Sequence, residues 1–588
     1  MSGMNFGPQI TPDGATFRLW APAARSVDVT VGRRKHALGK RLDGWFSGHI
    51  RGVKAGALYR FLIDGALDVP DPASAFQPDD IDGPSQLVDH EAFQWQTNSW
   101  KGRPWHEAIF SECHVGTYSP DGSYAGFAQK LEQLVETGIT AIELMPLADF
   151  PGRRNWGYDG VLWYAPDHSY GTPDQLKSLI DDAHRIGLMV FLDVVYNHFG
   201  PQGNYLPRYA PQFFRPSRTP WGDAIDYSVR EVRGFAVENA VHWIKNYRFD
   251  GLRLDAVHAL AEPGGLQMLE ELSKAVGAVA QASGRYIHLV LENDDNRASV
   301  LDPVTEPASG KFRAQWNDDY HHAWHTLLTG EAHGYYADYA PQAKQLIART
   351  LGSGFAYQGE PSKVRAGEPR GELSGALSSL AFVNFLQNHD QIGNRALGDR
   401  LELSGNASAI EAALAITLLA PMPPLLFMGE EWGARSPFPF FCDFAGELAQ
   451  QVRDGRRREF AEAYAKYGSN IPDLLDPTTF EAARLDWSAR ESSGKARHQF
   501  VKALLTIRHR EIIPHAHDVK FGQAQLSDHD SLHADWKLSG GRVLTLHANL
   551  GDRAGAPIDI PPRARLIWGK SSPSRLPPWS VLWTVEPS

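Results

Sequence analysis

Four acidic residues lie at the ends of short apolar segments that are far apart in the sequence. LMVFLDVVYNH contains Asp193, DGLRLDAVH contains Asp255, IHLVLEND contains Glu292, and LAFVNFLQNHD ends at Asp390. Carboxylates that meet in one cleft can serve as nucleophile, general acid or metal ligands. The pattern therefore predicts an acidic active site that is assembled from several separate strands.

Two chemistries use such a group of carboxylates: metal binding and the cleavage of glycosidic bonds. A metal site favours clustered histidines, whereas His198, His258 and His389 each follow a different apolar segment. Aromatic residues make up 11% of the chain, and many of the 17 tryptophans lie in loops rich in Gly, Pro and Asn, which favours stacking on sugar rings. We therefore expect glycosidic chemistry with no required metal and no cofactor.

The elements that must position these acids alternate between helices and apolar strands. Leu176, Leu179, Ile180 and Ala183 form one face of a helix, Gly187 ends it, and the strand LMVFLDVV follows. Strands that are apolar throughout are typical of a parallel sheet covered on both sides. The pattern repeats over seven or eight strands, around 110–115, 139–145, 189–194, 251–255, 286–292, 312–316, 380–386 and 425–428.

Eight such units predict an α/β fold, a (β/α)8 TIM barrel with insertions. Its active site would lie at the carboxyl ends of the strands, where the four acids stand. An open, doubly wound sheet is the alternative, but no glycine-rich nucleotide motif follows any of the strands.

Shorter patterns with a period of two residues flank the barrel region on both sides. They predict an N-terminal β-sandwich over 1–95, a barrel with insertions over 105–500 and a small C-terminal β domain over 505–588. The apolar segment 412–429 resembles a membrane span, but its three prolines predict a buried helix followed by a strand, so we expect no membrane association.

Charge and cysteine content exclude further classes of protein. The chain has 58 Lys and Arg against 69 Asp and Glu, a net charge of −11 without a basic cluster, so no nucleic-acid partner is expected. Two cysteines cannot form a disulfide framework, and the start MSGMNFGPQITPDG has no apolar export signal. We therefore expect a cytoplasmic protein.

Four segments together resemble the α-amylase family of glycoside hydrolases. DVVYNHFG, GLRLDAVH, the strand that ends at Glu292 and QNHDQIGN resemble, in this order, the four conserved segments of that family. FRLWAPAARSVDVTV resembles the sandwich that precedes the barrel in its isoamylase-like, branching and trehalose-forming members. The resemblance covers the barrel from about 105 to 430 and implies a retaining hydrolase that acts on α-glucans.

The resemblance also implies roles for individual residues. Asp255 would be the nucleophile, Glu292 the general acid/base and Asp390 the carboxylate that binds sugar hydroxyls. Further substrate-binding residues are expected around the same ring and beyond the cleaved bond. They are Tyr158, His198, Arg253, His258, Asn317, Asp318, Asp319, His389, Gln391 and Asn394.

The subtype rests on resemblance alone. The segments ECHVGTYSPDGSY, WGYDG, WNDDYHH and LQNHDQIGNR resemble most the members that cut the α-1,4 bond next to the terminal trehalose of maltooligosyl trehalose. This implies trehalose biosynthesis and functional pairing with a maltooligosyl trehalose synthase. A glycogen branching or debranching enzyme is the alternative, since it would share the three carboxylates. A binding protein on the same barrel would be expected to have lost them.

Overall fold

The computed structural model describes residues 6–219, 222–302, 310–570 and 575–587. Its N-terminal part is a β-sandwich, in which Phe17 of one sheet contacts Tyr59 of the other with ring centroids 5.0 Å apart. The first sheet contains Gln9–Thr11, Gly14–Trp20, Trp45–Arg51 and Gly39–Lys40. The second contains Arg34–Ala37, Val27–Val31, Leu58–Ile63, Leu67–Val69 and Ser85–Gln86.

Eight parallel strands form a closed barrel in sequence order, because the first strand also pairs with the last. This confirms the predicted TIM barrel, and the alternative of an open, doubly wound sheet is wrong. Every residue of these strands is buried, which is why the sequence shows apolar runs without alternation. The strands are β1 Phe110–Cys113, β2 Ala141–Leu144, β3 Met189–Val194, β4 Gly251–Leu254, β5 His288–Leu291, β6 Ala314–Trp316, β7 Phe382–Phe385 and β8 Pro424–Phe427.

Helices alternate with the barrel strands. Pro173–Arg185 shows how the sequence specifies one of them, because Thr172 and Gln175 form a capping box at its start and its predicted apolar face is buried. The principal helices are Leu131–Thr137, Pro173–Arg185, Arg230–Asn246, Pro263–Ser283, Asp318–Thr329, Ala343–Ser353, Ala407–Leu419, Gly446–Glu459 and Lys495–Ile507.

The apolar segment 412–429 forms the end of the helix Ala407–Leu419 and the strand β8, as its prolines predicted. Among the residues that the structure describes, no helix combines the length and apolar character needed to cross a membrane. The chain ends in a sheet of five antiparallel strands. They are Lys520–Ser527, Ser531–Lys537, Val543–Asn549, Ser580–Glu586 and Arg565–Trp568.

Two insertions extend the barrel at the edge where the strands end. The hairpin Glu360–Pro361/Pro369–Arg370 precedes β7, and the helix Gly446–Glu459 follows β8. Residues from both insertions line the cleft described below. The barrel therefore supplies the floor of this cleft, and the insertions supply part of its walls.

Candidate active site

A cleft of about 950 Å³ opens at the carboxyl ends of the barrel strands. The three predicted catalytic carboxylates line it: Asp255 directly follows β4, Glu292 directly follows β5, and Asp390 lies in the short helix His389–Gly393 after β7. Their side chains are 13%, 18% and 34% exposed, so a bound molecule can contact all three. The closed parallel barrel brings these residues together although 135 positions separate the first from the last in the sequence.

One buried guanidinium joins the acids at the floor of the cleft. Arg253, on β4, donates from Nη1 to Asp193 at 2.7 Å and to Asp255 at 2.8 Å, and from Nη2 to Glu292 at 2.8 Å. Its side chain is 0% exposed and lies over the ring of Trp316. Arg253 was predicted to bind substrate, but it lies beneath the cleft surface and contacts the carboxylates instead.

Asp255 and Glu292 differ in how their oxygens are used. Both oxygens of Asp255 accept hydrogen bonds, Oδ1 from Arg253 and Oδ2 from the Asn197 amide at 2.9 Å. From the described residues, Glu292 accepts only at Oε2, from Arg253 and from the Ala256 N–H at 2.9 Å. Asp255 is therefore arranged as an ionised carboxylate, whereas Oε1 of Glu292 can carry a proton.

The backbone just after Asp255 adopts an unusual conformation. Ala256 has a φ of +43°, in the left-handed region that costs a residue with a Cβ about 1–3 kcal/mol. This turn directs the Ala256 N–H toward Glu292. The left-handed turn at Ala256 therefore links Asp255 and Glu292, which follow neighbouring strands, through one backbone hydrogen bond.

The pKa directions follow from burial and from the shared guanidinium. Burial raises the pKa of Glu292, Arg253 opposes the rise, and the charge of Asp255 adds to it. Burial also raises the pKa of Asp255, against the effect of Arg253. A raised pKa is what a general acid needs in order to hold a proton near neutral pH.

Tyr158 and His198 lie on one wall of the cleft, as predicted for residues around a sugar ring. The Tyr158 hydroxyl donates to Asp193 at 2.6 Å, and its ring stacks on His389 with centroids 5.0 Å apart. His198 donates from Nε2 to the Tyr158 carbonyl at 2.9 Å. Both rings are thus fixed in place by hydrogen bonds.

His389 lies below this wall and is only 1% exposed. Its Nδ1 donates to Glu112, and its Nε2 lies 3.5 Å from Oδ1 of Asp390. We predicted His389 as a residue that touches the sugar; instead it lies behind Tyr158 and contacts Asp390.

Four more predicted residues line the cleft: His258 and Asp318 near Glu292, and Gln391 and Asn394 next to Asp390. Burial raises the pKa of Asp318 well above its usual range, and the charges of Glu292 and Asp294 add to the rise. Asp318 therefore lies close to the predicted general acid.

Asn317 and Asp319 do not line the cleft, which corrects their prediction as substrate-binding residues. Asn317 is buried and donates to the Gly354 carbonyl and to Asn384. Asp319 is 0% exposed, because neighbouring residues on the helix Asp318–Thr329 point about 100° apart. It accepts hydrogen bonds from Asn296, Tyr339 and the N–H groups of Ala356 and Tyr357, and it pairs with Arg370.

Several residues that line or support the cleft were missed. Trp156, Asp294, Val364, Phe440, Arg456 and Glu459 line it. Only Trp156 carried a signal, since it belongs to the segment NWGYDG. Asn197 follows the strand of Asp193, and its amide donates a hydrogen bond to Asp255.

Among the described residues, Asp149, Asp167 and His168 form a group that could offer three metal-ligand atoms within 4.8 Å of one another. They do not belong to the cleft lining. Burial raises the pKa of both Asp149 and Asp167 well above the usual range, so protonation also relieves the repulsion between them. The absence of a required metal stays a prediction.

Two family models match the chain. The model described as "Alpha amylase, catalytic domain" matches 94–219, and that of a domain of unknown function, DUF3459, matches 521–583. The solved structure of a "Putative alpha Amylase" from Salmonella typhimurium is 39% identical, with a TM-score of 0.92 over 99% of this chain and 100% of that one.

The barrel, its cleft carboxylates and the matched catalytic domain define a glycoside hydrolase of the α-amylase class. Malto-oligosyltrehalose trehalohydrolase of Deinococcus radiodurans is 42% identical over 85% of this chain and 82% of its own length. The enzyme of the same name from Saccharolobus solfataricus is 38% identical over 86% of this chain and 87% of its own. The chain belongs to the malto-oligosyltrehalose trehalohydrolase family.

Proposed function

We propose that the enzyme hydrolyses the α-1,4-glucosidic bond next to the terminal trehalose of maltooligosyl trehalose and releases trehalose with retention of configuration. The observation that carries the proposal is the set of Asp255, Glu292 and Asp390 around one cleft, with the first two bridged by Arg253. The names of the relatives, at about 40% identity, support the substrate.

In the first step, an Asp255 oxygen attacks the anomeric carbon while Glu292 gives its proton to the glycosidic oxygen, and trehalose leaves. The glucan is then bound to Asp255 as an ester. In the second step Glu292, now ionised, removes a proton from water, the water oxygen attacks the same carbon, and Asp255 is released. One water is consumed, and both carboxyl groups return to their starting states.

Arg253 supports retention through its geometry. It holds Asp255 and Glu292 on two nitrogens of a single guanidinium, which keeps the carboxyl groups close to each other. Retaining glycosidases need a separation of about 5–5.5 Å, whereas inverting ones leave about 6.5–9.5 Å for a water. The expected product is therefore the α-anomer at the newly formed reducing end, which NMR of the fresh hydrolysate measures.

The leaving sugar must contact residues near Glu292, because this group protonates the leaving oxygen. Asp294 and Asp318 lie there, and Asp294 is held by Arg365 at 2.6 Å and Arg370 at 2.8 Å. Both arginines belong to the insertion that contains the hairpin Glu360–Pro361/Pro369–Arg370, and Val364 of this insertion lines the cleft. We assign this wall to the recognition of trehalose.

The function is tested with three substrates: maltooligosyl trehalose, a plain maltooligosaccharide of equal length and a branched glucan. We expect trehalose to be released at least about tenfold faster than the plain chain is cut, because the wrong sugar leaves buried polar groups unpaired. Equal rates on the two linear substrates would contradict the subtype. A lengthened or branched product would establish the alternative, a branching enzyme.

Two variants on the helix Asp318–Thr329 distinguish a residue that recognises the substrate from one that stabilises the fold. Asp318→Ala, on the cleft side, is expected to reduce the trehalose preference by about 1–3 kcal/mol per lost hydrogen bond, with unchanged thermal stability. Asp319→Ala removes one of the two carboxylates that pair with Arg370 and leaves the Ala356 and Tyr357 N–H groups without their acceptor. It is expected to lower the free energy of unfolding by about 1–3 kcal/mol for each buried donor left unpaired. Product ratios and urea unfolding measure the two effects. A stable Asp319→Ala with an altered preference would reverse the assignment.

We also propose a role in trehalose biosynthesis in the cytoplasm, in functional pairing with a maltooligosyl trehalose synthase. The sequence resemblance supports this role, since maltooligosyl trehalose must be supplied by an enzyme that rearranges the end of a maltooligosaccharide. Incubation of both enzymes with maltooligosaccharide should yield free trehalose, and neither enzyme alone should do so.

A further inference from the structure

The interior of the barrel below the cleft contains two glutamates that the proposed reaction does not use. Glu112 on β1 and Glu143 on β2 are paired in register, and each is 1% exposed. Burial of an acid inside an apolar strand is costly unless the group is neutral or its charge is compensated. The two residues meet this requirement in different ways.

Glu112 is bound at both oxygens by a single residue. Oε1 accepts from Nδ1 of His389, and Oε2 accepts from the backbone N–H of His389 at 3.1 Å. The carboxylate therefore fixes both the ring and the backbone of the residue next to Asp390. Glu143 differs, because its Oε1 has no hydrogen-bond partner, and burial raises its pKa well above the usual range. Both observations favour the neutral form of Glu143.

The His389 ring lies between two carboxylates. Its Nε2 is 3.5 Å from Oδ1 of Asp390, on the opposite edge of the ring from Glu112. A neutral imidazole has only one N–H, so it can donate to one of these acids but not to both. Burial alone would lower the pKa of His389, but the charges of Asp390 and Glu112 raise it to about 9. The geometry and the charges both favour a protonated ring.

We propose that Glu112 is a positioning residue for the hydrolysis: it holds His389 as an imidazolium whose Nε2–H faces Asp390, and so fixes the carboxylate that binds the sugar hydroxyls. The inference rests on the role proposed above for Asp390. Glu112 itself does not reach the cleft. Its effect on the reaction passes through the ring of His389.

Among the groups around His389, Asp390 raises the pKa of the ring most, and Glu112 follows. Arg253 opposes the charge on the ring. Glu143, whose pKa is raised well above the usual range by burial, is not among the groups that raise the pKa of His389. The titratable and charged groups that face the ring are Glu112 from β1, Glu143 from β2, Asp193 from β3, Arg253 from β4, Asp390 after β7, and His114 and Tyr158 from the loops.

The first test compares Glu112→Gln with the matched control Glu143→Gln. We expect Glu112→Gln to lower kcat by about 10–100-fold, because a displacement of a catalytic group by about 1 Å can cost about 100-fold. The ratio of wild-type to variant kcat should rise between pH 7 and pH 9, because His389 loses its proton at a lower pH in the variant than in the wild type. The fall in kcat that follows deprotonation of Glu292 occurs in both proteins, so it cancels in this ratio. Glu143→Gln should stay within about threefold of wild type at both pH values.

The second test observes His389 directly. NMR of the full-length protein labelled with [15N]histidine should show a ring that titrates near pH 9 in the wild type and at least about one unit lower in Glu112→Gln. The His389→Asn spectrum assigns the signal. If Glu112→Gln is poorly folded, Glu112→Asp serves instead: it keeps the charge, so its His389 should still titrate above pH 8.

A double variant distinguishes positioning from general stability. In a His389→Asn background, Glu112→Gln should cause little further loss of kcat, because the ring through which it acts is gone. Fully additive losses, or an unchanged His389 titration in Glu112→Gln, would overturn the inference. These outcomes are independent of the substrate assignment, since the comparison of kcat holds whether trehalose or another sugar is released.

Discussion

Asp255→Asn is expected to lower kcat by at least about 10³-fold, the largest effect of any single substitution in the cleft. The amide keeps the shape of the side chain but cannot form the ester with the anomeric carbon. It also cannot satisfy both donors that contact Asp255, because its NH2 group must face either Arg253 or Asn197. Steady-state kinetics on maltooligosyl trehalose measure the loss.

Binding of the substrate should survive this change to within about tenfold, because Tyr158, His198 and Asp390 still contact the sugar. Calorimetry with the intact substrate measures this in the inactive variant. A variant that kept a tenth of the wild-type turnover would remove Asp255 from the mechanism.

Glu292→Ala is expected to lower kcat by about 10²–10⁴-fold, because no group then protonates the leaving oxygen. On an α-maltooligosyl fluoride, whose leaving group needs no proton, added azide should restore part of the turnover, since it attacks the ester at Asp255 without needing a general base. The product is then an α-glycosyl azide, because the configuration is inverted twice. In Asp255→Ala, azide takes the place of the nucleophile in a single inversion and should give the β-azide.

The configuration of the azide product thus assigns the two roles independently of rate. If Glu292→Ala gave the β-azide instead, Glu292 would be the nucleophile and Asp255 the general acid/base. The pH dependence adds a second measurement: burial raises the pKa of Glu292, so wild-type activity should persist above the range of an exposed glutamate and fall as the pH rises through that pKa. The amide of Glu292→Gln has no proton that titrates in this range. The residual activity of this variant should therefore not fall as the pH rises through the pKa of Glu292.

The barrel could be predicted from sequence because its strands are buried on both faces. Such strands read as short apolar runs, and the polar residue that ends each run at the carboxyl edge marks the site. Asp255 and Glu292 were found in this way, and the alternation of helix and strand fixed their common location. The three prolines also divided 412–429 correctly into a helix and β8.

Other residues could not be predicted because their direction depends on the rotation of a helix or on distant contacts. Asp318 and Asp319 are adjacent acids, yet one faces the cleft and the other binds Arg370 in the interior. Glu112 is a single acid within an apolar strand, and its partner His389 lies 277 positions away. Arg456 reaches the cleft from an insertion after β8, a placement that no local pattern indicates.

Arg253 gives the site a collective property. Asp193, Asp255 and Glu292 share its one positive charge, so a proton that binds to any of the three carboxylates changes the attraction that the other two experience. Proton uptake by such a group is a macroscopic event that belongs to the whole set. The two midpoints of a pH–rate profile thus describe the cluster of three acids and one arginine, including Asp193, which never contacts the reacting carbon in the proposed reaction.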